Sequence, residues 1–302
     1  MVAGPTGTGK SELAVDLAER LDGEIVNADS MQLYRGMDIG TAKLPPAERR
    51  GIAHHLLDVL DVVDTATVAS YQRDARAAVH GILERGHTPV LVGGSGLYIQ
   101  SVIDDIAFPA TDPQVRTRLE DDLQRLGIGR LFRTLLDRDP AAATAIGPAN
   151  GRKIVRALEV IEITGRPFTA TLPSWGRPRY GAVLLRLDRP NAELDQRLED
   201  RVRAMVAAGF LDEVRALDAA GLRRGVTASR ALGYAPLLAV LDGQSDLEQA
   251  IARTAAATRR FVRRQRSWFR RDHRMVDLDA SAATADLTER ALAALDDSPV
   301  VR

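Results

Sequence analysis

The sequence predicts an α/β fold, a parallel β-sheet core carrying helices and interrupted by an inserted all-helical domain. Three observations carry that expectation. The short apolar lead Met1-Val-Ala runs into a glycine-rich turn and then a helical pattern over 12–21, the strand–turn–helix order of parallel sheets. Further apolar runs at 24–28, 88–92 and 182–187 are short and bounded by turn residues, as expected of strands buried on both faces. Between the last two, residues 112–180 show helical runs at 115–126, 129–136 and 152–163 and no strong strand. The domains are therefore placed at 1–114 with 181–302 for the core, and 115–180 for the insertion.

The first turn, Gly4-Pro5-Thr6-Gly7-Thr8-Gly9-Lys10-Ser11, satisfies G-x-x-x-x-G-K-[ST] at every fixed position, in the required strand–loop–helix context. Such a P-loop turns backbone N–H groups onto phosphate oxygens at the positive end of a helix. Lys10 reaches the terminal phosphate and Ser11 can hold Mg²⁺. The motif calls for a di- or triphosphate without saying whose. Only three residues precede Gly4, short against a strand of about five or six. Either the strand begins upstream or it is clipped, and weak pairing is expected there.

The second strand runs into Asp29-Ser30-Met31-Gln32. Carboxyl ends of parallel strands face the ligand, which would aim Asp29 at whatever Lys10 and Ser11 hold. A helix N-cap is the equal alternative. Residues 34–43 read as a loop beside the phosphate site. His54-His55 read as packed or capping, because adjacent side chains rarely converge on one metal ion and no third ligand is evident. Residues 68–85 form an amphipathic helix. The 88–92 strand then ends in Gly93-Gly94-Ser95 where an ATPase would carry Asp. Gly165-Arg-Pro167 and the 173–178 stretch read as the linker returning from the insertion.

The remainder reads as helical at 191–208, 211–220, 231–241 and from 246 onward. The last helix ends in residues 258–274, eight of them Arg, interleaved with Phe261, Trp268 and Phe269. Guanidinium groups at this density suit phosphate, and the aromatics can pack the helix or stack bases. Nucleic acid is favoured over a merely solvated basic face. Residues 277–297 are acidic and offset the run, leaving 41 basic against 41 acidic residues in 302.

Composition excludes other classes. Without cysteine there is no disulfide framework, thiolate metal site or cysteine nucleophile. No apolar run nears the roughly 18 residues of a membrane span, so a soluble, cytoplasmic protein is expected. A P-loop with Asp29 as base fits a small-molecule or nucleotide kinase using ATP. The basic helix fits an RNA binder. An enzyme acting on RNA through a phosphorylated donor unites the two.

The chain resembles the tRNA dimethylallyltransferase (tRNA isopentenyltransferase) family. The resemblance lies in 4–11, 29–43, 54–58, 92–98, 156–160, 232–234 and 258–270, nearly end to end. It implies a nucleotide-kinase-like P-loop core with a helical insertion that clamps the tRNA anticodon stem-loop. The implied reaction moves a dimethylallyl group from dimethylallyl pyrophosphate to N6 of the adenosine 3′ of the anticodon, consuming no ATP. The P-loop would hold pyrophosphate, with Asp29 the base, and Lys10 and Ser95 catalytic beside it. Ser95 stands where the family usually carries Thr. The tRNA contacts implied are Asp29, Ser30, Met31, Gln32, Ser95, Arg116, Arg152, Lys153, Arg156, Arg263, Arg264 and Arg266. Arg197 and Arg201 match arginines of the family and are left open between pyrophosphate and RNA. Gly233-Tyr-Ala-Pro236 departs from the family pattern at a local tRNA contact. Nothing requires more than a monomer.

Overall fold

The structure, a computed structural model, describes residues 1–109, 111–168 and 176–297. The chain divides into two compact units, one of Met1–Ile103 with Arg177–Arg302 and one of Asp104–Gly176. Residues 173–175 of the expected return linker lie outside the described residues.

The first unit is built on a six-stranded parallel sheet: β1 (Val2–Ala3), β2 (Gly23–Asn27), β3 (His54–His55), β4 (Thr88–Gly93), β5 (Leu184–Asp188) and β6 (Met275–Asp279), in the order β3-β2-β4-β1-β5-β6. Successive side chains on a strand face opposite sides. Val2, Ile25, Val90 and Leu185 therefore join one apolar layer, and Ala3, Val26, Leu91 and Leu184 the other. Helices α1 (Lys10–Arg20) and α12 (Thr284–Asp296) contribute Leu13, Leu17, Leu287 and Ala291 to the first layer. The second layer takes Tyr71, Val79 and Ile82 from α2 (Val68–Glu84), and Ile99 and Val102 from α3 (Gly96–Ile103).

Weak pairing at β1 is not what the fold shows. Its two residues are fully buried and pair on both sides, Val2 with Val92 and Leu185, Ala3 with Gly93 and Arg186. A central place supplies neighbours on both edges, so a short strand is held without length. Two strands went unforeseen. β3 has two histidines at the sheet edge, and β6 buries only Leu278 fully among acidic neighbours.

The helices α8 (Asn191–Ala207), α9 (Phe210–Ala219), α10 (Tyr234–Leu241) and α11 (Leu247–Phe269) complete this unit. Leu194 and Leu198 of α8 pack on Val262 of α11. A further cluster joins Phe210, Val214 and Tyr234 to Tyr34, Met37 and Val62, anchoring the 34–43 loop to α9 and α10. Buried Lys43 pins the same loop, donating to Asp38 at 2.6 Å, Asp58 at 2.5 Å and the Tyr34 carbonyl at 2.9 Å. Glu213 closes it by accepting the N–H groups of Asp38, Ile39 and Gly40 and the Tyr234 hydroxyl.

The second unit holds α4 (Pro113–Leu126), α5 (Ile128–Arg138), α6 (Pro140–Ile146) and α7 (Gly151–Thr164). Asp112, Asp139 and Asn150 cap three of these by accepting backbone N–H groups. Leu119, Leu131, Leu135, Ile154 and Leu158 form its own core. Among the described residues, no helix is long and apolar enough to cross a membrane.

Candidate active site

The P-loop leaves β1 and enters α1 through three glycines whose backbone disfavours a side chain. Gly4 takes φ +142°, and a Cβ there would lie 2.2 Å from the Leu187 carbonyl oxygen. Gly7 and Gly9 also have positive φ, at +85° and +86°. Thr8 Oγ1 donates to the Pro5 carbonyl at 2.9 Å and Lys10 Nζ to the same oxygen at 2.6 Å, bracing the loop from within. The Thr6 N–H does not point to a phosphate. It donates to Gln265 Oε1 at 3.1 Å, so that N–H is already engaged within the protein.

Burial of its ammonium, with the Arg201 guanidinium alongside, pulls the Lys10 pKa from 10.5 down to about 7 against the opposing attraction of Asp29. Arg201 is itself held below its ordinary value, first by burial, with Asp29 raising it and Arg197 lowering it. Neither arginine has an ion-pair partner among the described residues. Lys10, Arg197 and Arg201 line a cavity of about 620 Å³ together with Thr6, Ser11, Asp29 and Gln265. Glu12, Asp29 and Asp200 also line it, so three basic side chains face three carboxylates, and the case for a phosphate rests on the P-loop glycines and the N-terminus of α1 at Lys10. Arg197 opens onto this cavity, whereas Arg201 also borders a second one.

The second cavity, of about 260 Å³, is lined by Ser30, Met31, Ser95, Leu198, Val202, Met205, Phe210, Leu232, Phe261 and Arg264. Asp29, Thr6, Thr41 and Arg201 border both. Asp29 thus stands where the P-loop cavity meets one that sets Leu198, Val202, Met205, Phe210 and Phe261 beside Arg201, Arg230 and Arg264. It is no helix N-cap, because turns follow it rather than a helix. Its Oδ1 accepts the Met31 N–H at 2.9 Å and its own N–H donates to Asn27 Oδ1 at 2.9 Å. Asn27 is fixed in turn by donating to the Leu56 carbonyl and accepting, through its own carbonyl, the Tyr71 hydroxyl. Asp29 Oδ2 has no hydrogen-bond partner among the described residues and is available to take a proton.

Ser95 Oγ accepts the Ser30 N–H at 3.4 Å, so the second glycine turn supports the Asp29 segment. Gln32 donates to the Thr41 and Ala42 carbonyls and braces the cavity wall. The Gly-Gly ending of β4 has a packing reason. A Cβ on Gly93 would lie 2.3 Å from the Ala28 carbonyl oxygen, and one on Gly94 the same distance from Gln265 Nε2.

The basic helix divides its residues between two tasks. Arg263 and Arg264 are exposed, with Arg264 over the Phe261 ring at 5.6 Å. Arg266 departs from the expected RNA-facing set. It binds inside the protein to Asp188 at 2.7 Å, to Asn191 and to the Arg189 carbonyl, with 11% of its side chain exposed. Phe269 is buried in the sheet core, and Trp268 packs where Gly96 lacks a side chain, so these rings hold the helix down. In the second unit Arg152 and Lys153 are exposed on the first turn of α7. Arg116 and Arg156 instead both bind fully buried Glu159. Their positive charge is already engaged there, which sequence position did not reveal. Gln265 was missed altogether. His54 Nδ1 meets the Ile52 carbonyl and His55 Nε2 meets Glu24, as packed residues do.

A parallel α/β core with a P-loop, and two adjoining cavities that meet at Asp29, place this chain among P-loop proteins. Residues 32–272 match the model of the IPP transferase family, and the chain belongs to that family. It is 66% identical to a tRNA dimethylallyltransferase of Saccharopolyspora erythraea over 93% of this chain and 90% of that one. Identity to a tRNA dimethylallyltransferase of Nocardia farcinica is 59%, over 98% and 94%. Among solved structures, the tRNA isopentenylpyrophosphate transferase of Bacillus halodurans is 36% identical, with TM-score 0.72 and coverage of 98% and 96%. A eukaryotic dimethylallyltransferase described as acting on tRNA is 28% identical, with TM-score 0.82 and coverage of 98% and 78%.

Proposed function

We propose that this protein transfers a dimethylallyl group from dimethylallyl pyrophosphate to N6 of the adenosine immediately 3′ of the tRNA anticodon, releasing pyrophosphate. The observation that carries this reading is the place of Asp29, where the P-loop cavity meets the neighbouring cavity that holds Leu198, Met205, Phe210 and Phe261. The adenine N6 lone pair is delocalised into the ring, so N6 attacks well only as it loses a proton. The N6–carbon bond forms as the allylic carbon–oxygen bond breaks. The proton passes to Asp29 Oδ2, and the breaking bond's electron pair leaves with pyrophosphate. Negative charge growing there is met by Lys10, Arg197, Arg201 and the P-loop N–H groups.

The target base leaves the anticodon-loop stack, at a cost on the order of a few kcal/mol. Exposed Arg263 and Arg264 offset it through phosphate contacts. Mg²⁺ fits the donor set. Among the described residues no cluster of three or more His or acidic side chains could hold a metal. A hard ion that keeps its waters and binds one protein oxygen plus phosphates suits the Ser11 hydroxyl. When bound, it would neutralise leaving-group charge. The protein would act as a monomer in the cytoplasm.

The test mixes protein, Mg²⁺, labelled dimethylallyl pyrophosphate and unmodified tRNA, then counts label in precipitated RNA. Label that depends on Asp29 and on that adenosine is the expected result. Phosphoryl transfer from ATP to a small acceptor, with no labelled RNA, would overturn it in favour of a kinase.

A further inference from the structure

Gln265 lies in the middle of the basic helix and yet is 5% exposed. Its Oε1 accepts the Thr6 N–H of the P-loop at 3.1 Å, and its Nε2 donates to the Gly94 carbonyl at 2.9 Å. Only a group that accepts at one end and donates at the other satisfies both partners. Reversing the amide would set N–H against N–H and oxygen against oxygen, so the partners dictate its orientation. Gly94 has no side chain at the one place where Gln265 enters. The amide is also held from behind. Arg266 ties α11 to Asp188, and Phe269 is buried in the sheet core.

We infer that Gln265 is a positioning residue that sets the spacing between the P-loop and the Gly94–Ser95 turn beyond the last paired residues of β1 and β4, and so between leaving group and acceptor. Among the described residues no hydrogen bond joins residues 5–9 directly to 94–96. The path runs from Thr6 through Gln265 to Gly94. Ser95 follows, and its hydroxyl accepts the N–H of Ser30, the neighbour of Asp29. One end of this path carries the departing pyrophosphate and the other the base beside the incoming amine. An in-line displacement is sensitive to that separation, since misplacement by about 1 Å can cost about 100-fold in rate.

This role rests on the transferase reading, and the full-length protein separates the two. If the wild type transfers no label to RNA, that reading has failed and Gln265 is not at issue. If it does, Gln265→Leu should lower the single-turnover rate by roughly 100-fold while inorganic pyrophosphate affinity and the RNA KM stay within about threefold. Gln265→Glu supplies a readout that a general packing role would not move. Its carboxylate accepts from Thr6 but cannot donate to Gly94, whereas the protonated acid does both. Its rate relative to wild type should therefore recover as pH falls, with no such recovery in Gln265→Leu. If Gln265→Leu fails to fold, the Gln265→Glu profile decides alone, and a flat ratio overturns the inference. An unchanged rate overturns it as well. Pyrophosphate affinity falling in step with rate would make Gln265 a donor ligand, and a raised RNA KM alone would make it an RNA contact.

Discussion

At the scale of single residues, the site rests on two groups whose surroundings decide their chemistry. Asp29 has one oxygen committed to the Met31 N–H and the other uncommitted between two cavities. Asp29→Asn keeps that turn and loses the base. Transfer should fall by about 100- to 10,000-fold, while RNA affinity measured by fluorescence anisotropy changes little. Equal loss of both would make Asp29 a binding residue. Lys10 offers a second check through protons. Its pKa of about 7 in the free protein leaves it mostly neutral at mildly alkaline pH. A bound pyrophosphate favours the ammonium, raising the pKa back toward 10.5. Binding should then take up protons between those values, and affinity should weaken as pH rises above 7. Calorimetry in buffers of different ionisation enthalpy reads the uptake directly. Lys10→Met should remove the part of the uptake and of this pH dependence that the ionisation of pyrophosphate itself does not supply.

At the scale of elements, α11 shows how one helix serves both packing and recognition. Arg266 meets Asp188, Asn191 and a carbonyl, while Arg263 and Arg264 face outward. Arg266→Ala should cost on the order of 2 kcal/mol in urea unfolding by removing its hydrogen bonds to Asp188, Asn191 and the Arg189 carbonyl. Replacing Arg263 and Arg264 by Gln should leave stability nearly unchanged and lower the salt slope of tRNA binding by about two. The opposite pattern would reverse these assignments. Local sequence could not make this distinction. The P-loop, β2, β4, β5 and most helices were legible because apolar spacing and turn residues act over short windows. Arg266 and Asp188 are 78 residues apart and Gln265 and Thr6 259 apart, so no window holds both partners. β6 was hidden for a related reason. At the sheet edge it needs little apolar surface, and its acidic residues read as solvent-facing chain.

At the scale of the whole molecule, the chain divides into two compact units, and the smaller one has its own apolar core and its own polar centre. In the unit of Asp104–Gly176 that centre is Glu159, fully buried and bound by Arg116 and Arg156, with the Asp112 N–H donating to it as well. Burial raises its pKa, but the hydrogen bonds from the two arginines outweigh burial and leave the pKa below 4.5. A carboxylate depressed in this way contributes stability that is complete above 4.5 and is lost as pH falls through the folded-state value. Glu159→Gln leaves two arginines facing a neutral amide, and breaking such a buried network costs on the order of 3 kcal/mol. The first unit has separate apolar clusters and the P-loop cavity, so the damage should remain local. Hydrogen exchange resolved by segment should show residues 111–164 losing protection in Glu159→Gln. Residues of the parallel sheet should keep theirs, and Lys10-dependent pyrophosphate binding should be unchanged. The variant should also lose the acid-sensitive step in unfolding of the helical unit. Loss of protection spread through the sheet would mean that the two units unfold as one, and that the chain is a single cooperative body despite that division.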